Sequence, residues 1–245
     1  VVHPRARPLL DAADELGLDI RDSANVPRGL VRLGLLPSAG RALVSSLFEH
    51  LRDRSPGIRL HVVEAFTGML DEYRNSGRID ISTVTRYGPL EGREELLGSF
   101  DNYLVGPQGD NVTSGPTIEF RKLGGLPLVL PGLPSELRVR LEQHARKLGI
   151  HLDIVLEVEA LNVMKEVVSS SRIYTILPSY AVSREVGEKA LSISRIVKPV
   201  IPRVMCLDVT SARPMSLATR EVAKGIRAIS KQLIANGTWA RAVEA

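Results

Sequence analysis

Short apolar runs alternate with amphipathic helical patterns along most of this chain, and this alternation is the strongest constraint on its fold. Residues 30–35 form one apolar run, and residues 58–64 form another. Between them, apolar residues recur at steps of three and four: Ala39, Ala42, Leu43, Leu47 and Leu51. The pattern predicts a buried strand, an amphipathic helix and a second strand. This arrangement is typical of parallel sheets with crossover helices.

The same alternation continues to the end of the chain. Helices are predicted from Thr67, Ser135 and Leu161, and a last helix carries apolar residues between Ala218 and Leu233. Strands are predicted at residues 79–84, 126–130, 152–158, 174–177 and 204–209. A chain of 245 residues is long enough for one large domain or for two smaller lobes. Two similar α/β lobes are the simplest architecture for this repeated pattern.

The charge distribution argues against a nucleic-acid surface on this chain. The sequence has 32 Lys and Arg against 28 Asp and Glu, a formal net charge of +4, and both signs are spread along it. A nucleic-acid-binding face needs clustered basic residues. The nearest basic cluster, at residues 138–147, is interleaved with acidic residues and is typical of a solvated helix surface.

Cysteine content and hydropathy limit the other partners of the chain. Cys206 is the only cysteine, which excludes an intrachain disulfide and a cysteine-rich metal site. Its apolar neighbours Val204, Met205 and Leu207 predict a small buried thiol. No apolar stretch approaches the roughly 18 residues that a membrane-spanning helix needs, and the first residues lack the apolar core of a secretion signal. These features predict a cytoplasmic protein with no membrane partner.

Residue patterns typical of enzymes and cofactor sites are missing from the sequence. The histidines are scattered and lack the paired spacing of a metal site: His3, His50, His61, His144 and His151. The sequence contains no Gly-x-Ser-x-Gly elbow, no Walker loop and no dinucleotide fingerprint. We therefore predict no catalytic residues, no metal and no cofactor, and a binding protein is favoured over an enzyme.

Five short motifs occur in a characteristic order along the chain. They are VRLGLLPS at residues 31–38, SPGIRL at 55–60, GRIDI at 77–81, FDNYLVGP at 100–107 and SARPMS at 211–216. Each is common by itself, but their order and spacing together resemble the effector-binding domain of LysR-type transcriptional regulators. The resemblance covers about residues 29 to 236, and the stretch before it resembles the end of the family's linker helix.

The resemblance implies a fold like that of type II periplasmic binding proteins, with two Rossmann-like lobes joined by crossing strands. Residues 29–109 plus 210–245 would form lobe I, residues 110–209 would form lobe II, and residues 1–28 would be a linker-helix remnant and linker. A small effector would bind in the cleft between the lobes. DNA would be bound only through a winged helix-turn-helix domain outside this chain. The resemblance also implies a homo-oligomer, a side-by-side dimer that becomes a tetramer in the full-length regulator.

The predicted cleft lies where ligands bind in open parallel sheets, beyond the carboxyl ends of the strands. Helix N-termini there offer unpaired N–H groups and a partial positive charge, which suit a small polar or anionic effector. Ser38, Thr67 and Thr85 follow the first three predicted strands, although helix capping alone would also explain Ser38 and Thr67. Arg86 is either a bidentate clamp for a carboxylate or a surface loop residue. The resemblance places further effector contacts near two turns of the facing lobe: Leu133, Pro134, Ser135, Pro178 and Ser179.

The first predicted helix also offers a dimer surface. The candidate interface residues are Ala42, Leu43, Val44, Leu47 and Phe48. Packing inside the chain's own core explains the inner face of this helix, but it does not explain Val44 and Phe48.

Two other function classes are compatible with a two-lobed scaffold. A type II solute-binding protein of a transport system would share the fold, but the missing secretion signal and the linker-like residues 1–28 disfavour it. An enzyme would need a nucleophile, a base or a metal site, none of which can be assembled from the sequence.

Overall fold

The structure is a computed structural model that describes residues 26–90 and 92–239. The linker predicted at residues 1–28 lies almost entirely outside the described residues. Six helices occur in the described ranges: α1 (Pro37–Arg54), α2 (Thr67–Asn75), α3 (Glu136–Leu148), α4 (Leu161–Ser170), α5 (Ser183–Gly187) and α6 (Leu217–Ala235). The strands there are β1 (Gly29–Leu35), β2 (Ile58–Glu64), β3 (Ile81–Arg86), β4 (Glu95–Phe100), β5 (Tyr103–Pro107), β6 (Thr117–Glu119), β7 (Pro127–Leu130), β8 (Asp153–Glu157), β9 (Thr175–Leu177), β10 (Leu191–Val197) and β11 (Arg203–Val209).

Lobe I is built on a five-stranded sheet with the order β2-β1-β3-β11-β4. Strand β1 is parallel to both β2 and β3, whereas β11 is antiparallel to β3 and to β4. The apolar faces of α1 and α6 pack on this sheet, as the three- and four-residue spacing predicted. The core contains fully buried residues from both helices and the sheet: Val31, Leu33, Leu43, Leu47, Phe100, Val222 and Ile226.

Lobe II contains a second sheet with the order β6-β10-β5-β9 and the parallel pair β7-β8. A single bridge between Leu128 and Tyr174 connects β7 to the chain just before β9. The helix α3 packs its buried Leu137, Leu141 and Ala145 into the core of this lobe. Each sheet therefore has its own core, and the predicted two-lobed α/β architecture is confirmed.

The chain crosses between the lobes twice, once between β4 and β5 and once between β10 and β11. The Asn102 side-chain amide donates to the Ile201 carbonyl at 2.7 Å and so joins the two crossing segments. We predicted lobe boundaries at residues 109 and 209, but strand pairing puts β5 in the second sheet and β11 in the first. The apolar pattern could not show this, because a buried strand looks the same in either sheet.

Candidate functional site

The two lobes meet at the carboxyl ends of β1 and β3. Helix α1 begins directly after β1, α2 follows β2, and Arg203 starts β11 beside the end of β3. The Thr67 hydroxyl donates to the Thr85 carbonyl at 3.4 Å, and Arg203 Nη2 donates to the Thr85 hydroxyl at 3.2 Å. From lobe II, the Tyr180 ring packs edge-on against Phe100, with 5.1 Å between ring centroids. These contacts gather helix N-termini, hydroxyl groups and a guanidinium at one junction.

Ser38 and Thr67 do not cap their helices as predicted. Ser38 is the second residue of α1, after Pro37, and Thr67 is the first residue of α2. Neither helix has a side-chain hydrogen bond at its N-cap, whereas Ser216 caps α6 by accepting from the Thr219 amide at 3.1 Å. No side-chain cap therefore covers the first turn of either helix, although in α1 Pro37 has no N–H and the Ala39 N–H already donates to the Leu36 carbonyl at 2.9 Å.

Thr85 and Arg86 lie within β3, where both are buried, and not in a loop after it. Arg86 binds three carboxylates, with donor–acceptor distances of 2.8 Å to Asp71, 2.8 Å to Glu94 and 3.1 Å to Glu136. Burial alone would lower the pKa of the guanidinium, but the bonds to Asp71 and Glu94 outweigh it and raise the pKa. The prediction of a free carboxylate clamp was wrong, since these acids already saturate Arg86.

A second arginine at the junction, Arg203, was not predicted from the sequence as a site residue. Its side chain is only 7% exposed, and its Nε is buried without a hydrogen-bond partner. Within residues 26–90 and 92–239 it forms no ion pair with a carboxylate. A buried guanidinium normally has a counter-ion. Arg203 thus differs from Arg86, although the two residues lie on neighbouring strands.

Two tyrosines pack between the lobes, and each comes from one lobe and contacts the other. Tyr87, at the end of β3 in lobe I, packs against the core of lobe II, and its hydroxyl donates to the Asn102 side chain at 3.5 Å. Tyr180, from lobe II, packs against Phe100 and, at 5.7 Å between ring centroids, against Trp239 of lobe I. Burial raises the pKa of both phenols, so both are neutral near pH 7. The lobes are therefore closed on each other by aromatic packing.

The predicted contacts from lobe II lie at different depths. Pro134 lines a surface pocket of about 300 Å³ between Tyr87 and α3, while Leu133 is 59% exposed outside it. Ser135 precedes α3 without a side-chain cap bond. Pro178 is buried, and Ser179 lies beside Tyr103 of its own lobe. These turns therefore position Tyr180 and α3 at the junction.

Helix α3 closes the rim of that pocket with charged groups. Glu136 accepts from Arg86 at 3.1 Å and from the Tyr87 backbone amide at 3.3 Å. Arg140 donates to the Tyr87 carbonyl. Because Glu136 and Arg140 belong to lobe II and Arg86 to lobe I, these bonds hold the two lobes together.

The predicted dimer surface on α1 is smaller than expected. Leu43 and Leu47 are fully buried in the core of lobe I, so including them in the interface was wrong. Ala42 and Val44 are partly buried against that core. Phe48 is 59% exposed and remains available to a partner.

The remaining polar groups do not form a redox or metal site in the described ranges. Cys206 is fully buried, as predicted, and burial raises the pKa of its thiol to about 12. No group of three or more His, Cys, Asp or Glu side chains in residues 26–90 and 92–239 could hold a metal ion. Among the same residues, no helix has the length and apolar character needed to cross a membrane.

Comparison with known proteins identifies the family of this architecture. A family model described as the LysR substrate binding domain matches residues 24–229. A probable hydrogen peroxide-inducible genes activator of Mycobacterium leprae is 25% identical over 223 residues, which span 90% of this chain and 72% of that protein.

Solved structures of regulators share the fold at low sequence identity. An H2O2-bound mutant of OxyR from Corynebacterium glutamicum gives a TM-score of 0.72 at 19% identity and covers 98% of this chain and 78% of that one. The regulatory domain of Synechocystis PCC6803 CcmR, in complex with 2-PG, gives 0.74 at 14% identity, with coverage of 84% and 99%. The predicted type II periplasmic-binding-protein-like fold is confirmed by these structures. With a family model matching most of its length, the chain belongs to the LysR substrate-binding domain family.

Proposed function

We propose that this chain is the effector-sensing part of a LysR-type transcriptional regulator and binds a small polar or anionic molecule between its lobes. One observation carries the proposal: at the inter-lobe junction the uncapped N-terminus of α2 contacts Thr85 through Thr67, and Ser38 in the first turn of α1 contacts Tyr180 of lobe II. Unpaired N–H groups and the helix dipole favour an anion at such a place. The M. leprae relative is described as a gene activator, which supports regulation over solute transport.

The bound molecule would act by changing how the two lobes are arranged. An effector shifts such an equilibrium only by its difference in affinity for the two arrangements. The bonds of Glu136 and Arg140 to Arg86 and Tyr87 are the contacts that opening would break. In the cytoplasm, this change would reach DNA through a separate DNA-binding domain, since charge on this chain is not clustered into a basic face.

The test is a thermal-shift screen with small carboxylates, amino acids and inorganic oxyanions. A ligand at about 100 Kd stabilises the folded state by about 2.7 kcal/mol, which raises Tm by about 5–10 °C for a chain of this size. Ser38→Ala and Thr67→Ala should reduce the shift, whereas Ser45→Ala on the exposed face of α1 should not. If no compound in the screen stabilises the wild-type chain, the sensing function is refuted.

We further propose that the chain forms a homodimer through the outer face of α1, centred on Phe48. The Phe48 ring, at 59% exposure, lies one helical turn from the partly buried Val44, and the two side chains together offer an apolar contact for a second copy of the chain. Phe48→Glu should convert a dimer to a monomer in sedimentation at micromolar concentration, whereas Glu49→Gln, at the next exposed position, should not. A wild-type chain that sediments as a monomer at that concentration would contradict the proposal.

A further inference from the structure

Two buried groups at the junction that can donate a hydrogen bond have no acceptor among the described residues, and they come from opposite lobes. One is Nε of Arg203 in lobe I, and the other is the hydroxyl oxygen of Tyr180 in lobe II. The Tyr180 ring is fixed by Phe100 and Trp239, so its hydroxyl cannot turn away without losing aromatic packing. The Ser38 hydroxyl can donate to that phenol oxygen, so the phenol proton remains for a ligand, and Arg203 lies within electrostatic range. A buried donor without a partner is costly, and a ligand is one way to satisfy it.

The positive charge of Arg203 also lacks a carboxylate partner in the part of the chain that the structure describes. A guanidinium stays protonated at every accessible pH, so Arg203 is a buried cation. Among the described residues, its hydrogen bond goes to the neutral Thr85 hydroxyl, at 3.2 Å. The nearby Arg86 adds no unpaired positive charge, because three carboxylates surround it, those of Asp71, Glu94 and Glu136. With one uncompensated cation, the site matches an anion that carries one charge.

We propose that Arg203 and Tyr180 together select a singly charged anion as the effector, with its charged group accepting from Arg203 Nε and from the Tyr180 hydroxyl. Because the two donors lie in different lobes, one bound anion connects both. The uncapped first turns of α1 and α2 add favourable partial charge on the side of Ser38 and Thr67. This inference rests on the proposed sensing function and adds the charge class of the effector and the residues that recognise it.

The experiment uses acetate and benzoate as probes, with acetamide and benzamide as uncharged analogues and sulfate as a dianion, all at constant ionic strength. Binding is measured by calorimetry and by thermal shift on the wild type and on three variants. Arg203→Gln removes the charge, and Tyr180→Phe removes only the hydroxyl. Arg138→Gln is the matched control, since Arg138 is equally buried but bonds to Glu142 and Glu157 at 2.6 and 2.9 Å.

We expect at least one monoanion to bind the wild type more tightly than its amide and than sulfate. Arg203→Gln should lower the affinity for that anion about 10- to 100-fold, as expected for the loss of a hydrogen bond to a charged group. Tyr180→Phe should lower it about 5-fold. Without ligand, Arg203→Gln should keep or raise Tm, because it removes an unpaired buried charge. Arg138→Gln should lower Tm and leave anion affinity unchanged.

Different failures separate this inference from the sensing function. Equal anion affinity in the wild type and in Arg203→Gln refutes the role of Arg203 in binding the anion and leaves the proposed sensing function standing. Uncharged compounds that bind while acetate, benzoate and other monoanions do not would have the same meaning. If Arg203→Gln fails to fold, Tyr180→Phe decides, and unchanged affinity in that variant overturns the proposal. If no compound binds, whether charged or neutral, both the anion selectivity and the sensing function are refuted.

Discussion

Replacing Arg86 with methionine should strongly destabilise the protein. Met keeps an apolar stem of similar length but removes the cation that Asp71 and Glu94 share, and because Asp71 keeps its ion pair with Arg74, the main cost falls on Glu94. The Glu94 side chain is only 1% exposed, so water cannot replace the guanidinium there. Breaking a buried ion pair from one side costs about 3–5 kcal/mol. The bond to Glu136 adds little, because that side chain is 40% exposed.

The assay is urea unfolding followed by circular dichroism, with thermal unfolding as a second measure. A loss of about 3–5 kcal/mol is a large part of the stability of an ordinary domain and corresponds to a fall in Tm of about 6–20 °C. Arg184→Met is the control, since Arg184 and Glu188 form an exposed pair, with side chains 62% and 56% exposed. We expect it to cost less than about 1 kcal/mol.

The outcome also decides between the two roles considered for Arg86. If the free energy of unfolding of Arg86→Met is within about 1 kcal/mol of that of the wild type, the ion pairs of Arg86 do not stabilise the fold as argued. If the variant stays stable and loses affinity for a ligand found in the screen, Arg86 is an effector clamp after all. Lower stability with unchanged ligand affinity, measured well below the new Tm, is the result that the contacts of Arg86 predict.

Two further predictions concern single titratable residues. At pH 7 a thiol with a pKa of about 12 is ionised to about one part in 10⁵. Cys206 should therefore react with a thiol reagent only after unfolding. Peroxide treatment should change neither the fold nor the ligand affinity of the wild type or of Cys206→Ser. Burial, with Arg140 and Lys147 nearby, lowers the pKa of His144. The folded state therefore binds fewer protons than the unfolded one, and the free energy of unfolding should fall as pH drops below about 6.5. His144→Gln should flatten this dependence in urea titrations.

The alternating pattern predicted five of the six described helices and the strands β1, β2, β3, β7, β8, β9 and β11, because elements with an apolar face show its period in the sequence. It did not predict α5, β4, β5, β6 and β10. Strand β4 carries Leu96 at 57% exposure on the edge of its sheet, and β10 is interrupted by Ser192, Ser194 and Arg195. Edge strands and strands with polar positions lose the alternation that sequence reasoning needs.

The site was predicted in part, and the charged residues were the difficult ones. Ser38, Thr67 and Thr85 lie at the junction because each follows or ends one of the three parallel strands β1, β2 and β3. Whether an arginine is free or paired depends on contacts far along the chain. Arg86 meets Glu136 at a separation of 50 residues, and Arg203 meets Thr85 at a separation of 118. No local pattern distinguishes these two arginines.

The unpaired charge of Arg203 explains how closure of the lobes can depend on an effector. Opening would expose the Tyr180 ring, and burying an aromatic side chain removes about 150–250 Å² from water, which at about 25 cal/mol/Å² is worth about 4–6 kcal/mol. Contacts of that size would by themselves keep the lobes closed at all times. A buried cation without a partner opposes closure by several kcal/mol, so the two terms nearly cancel. An anion that neutralises Arg203 removes the opposing term only in the closed arrangement, and this difference in affinity is what a switch requires.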